Sequence, residues 1–131
     1  MAKTKNKLKK SYYLVLLIFF ALAVAVFDFV DYLIHGLSPE YSVPSRYFTN
    51  KLLYGTLYAF VSYLILKNKR FWTRVIGISA ITGILLQVRY FIEGYSVEFV
   101  LEFMAIHFAI LVLTLWLGFK YVLDPYLKRS N

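Results

Sequence analysis

Cysteine is absent from this chain of 131 residues, which excludes disulfides, thiolate metal sites, iron–sulfur clusters and cysteine nucleophiles and leaves the redox compartment unread. Signature loops are absent too. Nothing matches a Walker A loop, a glycine-rich dinucleotide turn, an HExxH pair or an ordered Ser-His-Asp set, and the Glu-x-x-His pattern of di-iron bundles is missing. No internal repeat is evident. Acids are scarce, seven against fifteen bases, and the three prolines stand at 39, 44 and 125.

What the chain has instead is apolar bulk. Hydrophobic residues make up 60% of it, against about 45 to 50% in soluble domains, which points to a membrane protein of one domain. The net charge of +8 does not indicate nucleic acid, because the bases flank apolar segments and form no groove interleaved with exposed aromatics. The expected partner is the lipid bilayer.

Four helices are expected, over residues 12–34, 46–66, 71–91 and 97–121, each near the roughly 20 residues a span requires. The fold class is all-α: a polytopic integral membrane protein built as an antiparallel four-transmembrane-helix bundle. Residues 1–11, with five lysines, read as a basic cytoplasmic segment. A signal peptide cleaved after Ala25 is the competing reading, but the apolar run to Phe27 exceeds the usual stretch of about 7 to 15 residues. Gly36 ends helix 1. Pro39 and Pro44 then hold the longest connection, up to Tyr47, in an irregular loop. The second and third connections, Lys67 to Arg70 and Glu93 to Ser96, are short turns, and Asp124-Pro125 is expected to break the last helix.

Helical spacing sorts the faces. On helix 2, Tyr47, Lys51, Tyr54, Tyr58 and Ser62 form a polar stripe expected to face the bundle. On helix 3, Gly77, Ala80, Gly83 and Gln87 form a small-residue side suited to close packing, opposite Thr82, Arg89 and Glu93. On helix 4, Glu98, Glu102, Ala105 and Ala109 share a face that points away from His107.

Charge assigns the orientation. With the N-terminus inside, the inner side carries twelve bases and one acid, +11, and the outer side three bases and six acids, −3. The positive-inside rule then places both termini in the cytoplasm and the protein in the cell membrane.

The outer acids exceed what orientation needs. Asp28, Asp31 and His35, at i, i+3 and i+7, fall on one helix face. Counting about 1.5 Å per residue from straight-helix midpoints puts Asp28, Asp31, Lys51, Arg89 and Glu102 at one level, about 7 to 12 Å outward. Asp28 with Lys51 and Glu102 with Arg89 are the expected pairs, leaving a residual charge of −1 that a proton or a visiting cation would neutralise. Tyr54 and Tyr58 are expected to line a pocket there. The same count sets His35 and His107 about 15 Å apart in depth, so they cannot share one haem. A single metal on Asp28, Asp31 and His35 lacks ligands from a second helix, and His107 reads as an interhelical hydrogen bonder. No metal and no cofactor is expected.

The leading functional reading is therefore binding or transport of a small ligand or cation at Asp28, Asp31, His35, Lys51, Tyr54, Tyr58, Arg89, Glu102 and His107, with proton coupling through the residual charge. So small a bundle is expected to act as a homo-oligomer or beside a partner subunit. The alternative is a structural or assembly subunit whose charges only lock the bundle. A membrane-embedded enzyme using Asp28, Asp31 and His35 ranks third.

Overall fold

The computed structural model describes residues 2–130, with side chains from residue 11 to residue 129, so the five lysines before Ser11 lie outside the described side chains. Four long helices account for most of it: α1 (Ala2–His35), α2 (Arg46–Leu66), α3 (Phe71–Ile92) and α4 (Val97–Gly118). A π-helical turn, Phe119–Leu123, carries α4 into a short final helix, α5 (Asp124–Ser130). No strand occurs among the described residues.

Three segments are long and apolar enough to cross a membrane: Ser11–His35, Phe71–Ile92 and Val97–Arg129. With 21 residues α2 has the length, but four tyrosines, Arg46, Asn50 and Lys51 leave it more polar than the others. Two expected boundaries shift. Helix 1 begins at Ala2, because the lysine-rich leader has good helix formers and no breaker. Asp124-Pro125 does not stop the last helix: the proline sits in the first turn of α5, where its missing N–H costs least, and the π turn before it absorbs the change of register.

The turns follow from local chemistry. Gly94 has φ +87°, the left-handed conformation that a glycine adopts without a Cβ penalty. It lets the Tyr95 N–H reach the Tyr90 carbonyl at 3.2 Å and the Gly94 N–H reach that of Phe91 at 3.2 Å, closing α3 with a Schellman motif. Ser96 then caps α4 by accepting from the Phe99 N–H at 3.2 Å. In the long connection a 3-10 turn, Pro39–Tyr41, is capped by Ser38.

Each helix buries one stripe, and each stripe changes character along its length. On α1 it runs Leu16, Phe20, Val24, Phe27 and then Asp31 and His35. On α4 it runs Phe103, His107, Leu111 and Leu115. The apolar half of the bundle is closed by Phe20, Tyr63 and Phe119, whose rings meet at centroid distances of 5.4 to 6.2 Å. The face of α2 differs from the expected one. Tyr47, Lys51, Gly55, Ala59 and Ser62 are buried, Tyr54 is exposed and Tyr58 half-buried, because Gly55 lets the helix sit against Val24 of α1. On α3, Thr82 is buried with Gly83 and Gln87 instead of lying outward with Arg89. The acidic face of α4 does point outward, with Glu98, Glu102, Ala105 and Ala109 all exposed.

At the far end of the apolar half, Arg74 of α3 clamps Asp124 with both terminal nitrogens, at 3.0 and 2.7 Å, while its guanidinium lies 5.2 Å from the Phe119 ring. This bidentate pair holds α5 onto the bundle across the π turn. Arg74→Gln is expected to lower stability by about 1.5 to 3 kcal/mol, the usual worth of a charged hydrogen bond. The double substitution with Asp124→Asn should cost less than the sum of the singles, as read from thermal unfolding in detergent.

Candidate functional site

The polar ends of the four stripes meet around one carboxylate. Asp31 is fully buried, and its two oxygens divide the neighbouring helices between them. Oδ1 accepts from His107 Nε2 of α4 at 2.9 Å. Oδ2 accepts from the Lys51 ammonium of α2. From α3, the Gln87 side-chain amide donates to His107 Nδ1 at 2.7 Å, which fixes the neutral His107 tautomer with its proton on Nε2. One connected set of hydrogen bonds thus joins all four helices.

His35 completes it from the loop side. Its Nδ1–H donates to the Tyr41 carbonyl, and in the neutral tautomer Nε2 is the acceptor that faces Lys51 Nζ at 3.4 Å. That nitrogen also stands 3.4 Å from Asp31 Oδ2. Two acceptors facing each other repel unless a cation is shared by both, and here the ammonium stands on Oδ2 and 3.4 Å from Nε2. With both histidines neutral, the buried charges are Asp31 and Lys51, one of each sign.

Aromatic rings pack around the set. Phe103 stacks on His35 at 4.2 Å and 7°, and Phe27 meets the His107 ring edge-on at 5.1 Å. Lys51 Nζ lies 5.0 Å from the Phe48 ring and 5.4 Å from that of Tyr90, within cation–π range. Some polar atoms within this packing stay without partners: Gln87 Oε1, the Tyr90 hydroxyl and Asp28 Oδ1.

Two cavities reach the set from outside. A cleft of about 310 Å3 between α2 and α3 is lined by Tyr47, Asn50, Lys51, Tyr54, Tyr58 and Arg89, together with Leu85 and Leu86. A second of about 380 Å3, under the long connection, ends on His35.

The expected pairs are not the ones that form. Lys51 meets Asp31, which lies on the buried stripe, and not Asp28, which is rotated off it and half-buried. Arg89 bonds Glu93 one turn along its own helix at 2.8 Å and lies 5.4 Å from the Tyr47 ring. Glu102 is exposed and accepts from the Tyr41 hydroxyl at 2.8 Å, a contact that raises the pKa of that phenol. The depth estimate for the histidines also fails. Asp31, His35 and His107 present ligand atoms within 4.8 Å of one another, because interhelical packing sets the registers and not the centring of each helix in a slab. Gln87 belongs to the set although it carries no charge; its i, i+4 spacing from Gly83, on a face expected to pack closely, was the available signal.

No protein-family model, curated protein or solved structure matches this chain.

Removing one partner of a buried ion pair strands the other, typically at about 3 to 5 kcal/mol, whereas neutralising both is far milder. Asp31→Asn and Lys51→Met are each expected to lower stability by that order, with the double substitution recovering most of it. Asp28→Asn is expected to be close to neutral. Melting temperatures in one detergent decide: equal losses for Asp28→Asn and Asp31→Asn would remove Asp31 from the centre of the network.

Proposed function

We propose that this is a small-ligand-binding protein of the cell membrane: an antiparallel bundle of four spans, α2 among them, with both termini cytoplasmic and the long connection outside. The charge asymmetry supports the orientation. The inclusion of α2 is supported by its place between α1 and α3, where Tyr47, Lys51 and Ser62 are buried. Tags ahead of Met1 and after Asn131 should be inaccessible from outside intact cells, and a tag inserted at Ser42 accessible. An accessible C-terminus would mean an odd number of spans and end the four-span reading.

The observation that carries the binding reading is the cleft between α2 and α3. It is of the size of small-ligand pockets and combines apolar lining from Leu85 and Leu86 with a few polar groups. It brings together Lys51, Tyr54, Tyr58 and Arg89, four of the residues singled out from the sequence. Lys51 has three N–H donors and uses two, on Asp31 and His35, so an acceptor in the cleft can take the third. With Arg89 and Asn50 nearby, the favoured ligand carries a carboxylate or phosphate group on a small apolar body. Transport is the weaker reading, because packed rings of Phe20, Tyr63 and Phe119 fill the opposite half of the bundle.

One observation favours a purely structural layer: the two buried charges already neutralise each other. The readings part on ligand retention. Native mass spectrometry of protein extracted from its membrane in mild detergent should show a bound small molecule that Arg89→Gln removes, with the melting temperature little changed since Arg89 is a rim residue. A parent protein with no adduct, or an adduct indifferent to both Arg89→Gln and Asn50→Ala, leaves the structural layer as the answer.

A further inference from the structure

We propose that Asp31, His35 and His107 form a binding site for a first-row divalent metal ion of the zinc class, and that the Lys51 ammonium is the cation that holds the place of the metal. The inference deepens the binding reading by naming a cation for the same layer, and it rests on that reading.

The donor set comes first. The chain has only two histidines, on helices far apart in sequence, and both aim Nε2 at the one fully buried carboxylate, with all three ligand atoms within 4.8 Å. Two imidazoles and a carboxylate suit zinc, cobalt or iron(II), whereas calcium and magnesium want oxygen ligands throughout. Tetrahedral ligands about 2.1 Å from an ion stand about 3.4 Å apart, so a set within 4.8 Å needs a closure of little more than about 1 Å. His35 Nε2 and Asp31 Oδ2 already stand at 3.4 Å.

The outer partners come second. Histidines that bind metals generally give their other N–H to a carbonyl or carboxylate, which fixes the tautomer. His35 does this now, donating Nδ1–H to the Tyr41 carbonyl and leaving Nε2 free to ligate. His107 holds the opposite tautomer, but its partner is the chain's one glutamine, whose Oε1 is buried without a partner. Turning the Gln87 amide over brings Oε1 onto Nδ1–H and moves the imidazole proton off Nε2. His107 then becomes a ligand, and the unpartnered oxygen is satisfied.

The occupant comes third. Lys51 sits where two lone pairs converge, as a metal would, on a flexible stem beside an open cleft into which it can withdraw. The fourth coordination position then opens toward that cleft, and an anionic group there would meet the displaced ammonium.

The test is titration of Zn(II) alone into the full chain in detergent after stripping with a chelator. The parent should take up one saturable Zn(II) per chain that Mg(II) does not displace, and His35→Gln or His107→Gln should abolish uptake. Lys51→Met should tighten binding at least tenfold, since the competing cation is gone, and adding His107→Gln to it should remove the gain. Should Lys51→Met fail to fold, Lys51→Gln keeps a donor to Asp31 and carries the same expectation. The proposal is overturned by absence of saturable uptake, by uptake that survives loss of both histidines, or by an affinity that loss of Lys51 leaves unchanged. An Arg89-dependent adduct without Zn(II) uptake would sink the metal alone, and Zn(II) uptake without an adduct would sink the cleft ligand alone.

Discussion

A carboxylate buried among apolar helices has to be neutralised where it stands, and the Asp31–Lys51 pair is how this bundle meets that constraint. The pairing constrains all four helices. Lys51 can reach Asp31 only if the N-terminal end of α2 lies beside the C-terminal end of α1, and Oδ1 then demands a donor from a third direction, which His107 supplies. His107 in turn needs a partner on Nδ1, and Gln87 of α3 provides it. A network with every helix represented permits few alternative registers, because sliding one helix by a turn would leave several buried polar groups unpaired at once.

Aromatic packing sharpens the same requirement. The rings of Phe27, Phe48, Tyr90 and Phe103 pack around the set and lower its local polarity, which strengthens each bond inside it and raises the cost of any that is left unmade. Away from this layer the packing is mostly apolar, with Gly55 against Val24 as a close approach between α1 and α2 and the Arg74–Asp124 pair at the far end. Specificity and bulk stability are thus carried by opposite ends of the same stripes.

Most of the fold was legible. Apolar runs, glycine and proline positions and short basic or glycine-containing turns gave four helices with boundaries close to those observed for α2, α3 and the start of α4. Of the five residues expected in the charged layer, Asp31 and Lys51 do meet, and the histidines, expected at different depths, join them. The partners were not legible. Asp28 and Asp31 are only about 60° apart on a helix, and hydropathy cannot decide which of them lies on the buried stripe. Depth counted along isolated helices separated the histidines, although rings stacked between α1 and α4 bring them together. Arg89 and Glu102 share a level yet face different neighbours, each with a nearer partner in Glu93 and Tyr41. Periodicity reports which residues share a face of one helix; it contains no term for the rotation of one helix against another.

The choice of lysine at position 51 follows from the geometry it serves. An arginine would present a planar fork suited to one bidentate carboxylate, whereas the three donors of an ammonium can be shared among Asp31 Oδ2, the His35 lone pair and the cleft. A flexible four-carbon stem also allows the head group to leave without moving the helix. Every polar group that Lys51 touches could therefore be served by another cation, and the departing charge would have an open, partly polar cleft to occupy. In this bundle the lysine that fixes the helix registers also lines the cleft between α2 and α3, so the cation at the centre of the network stands at the edge of an open space.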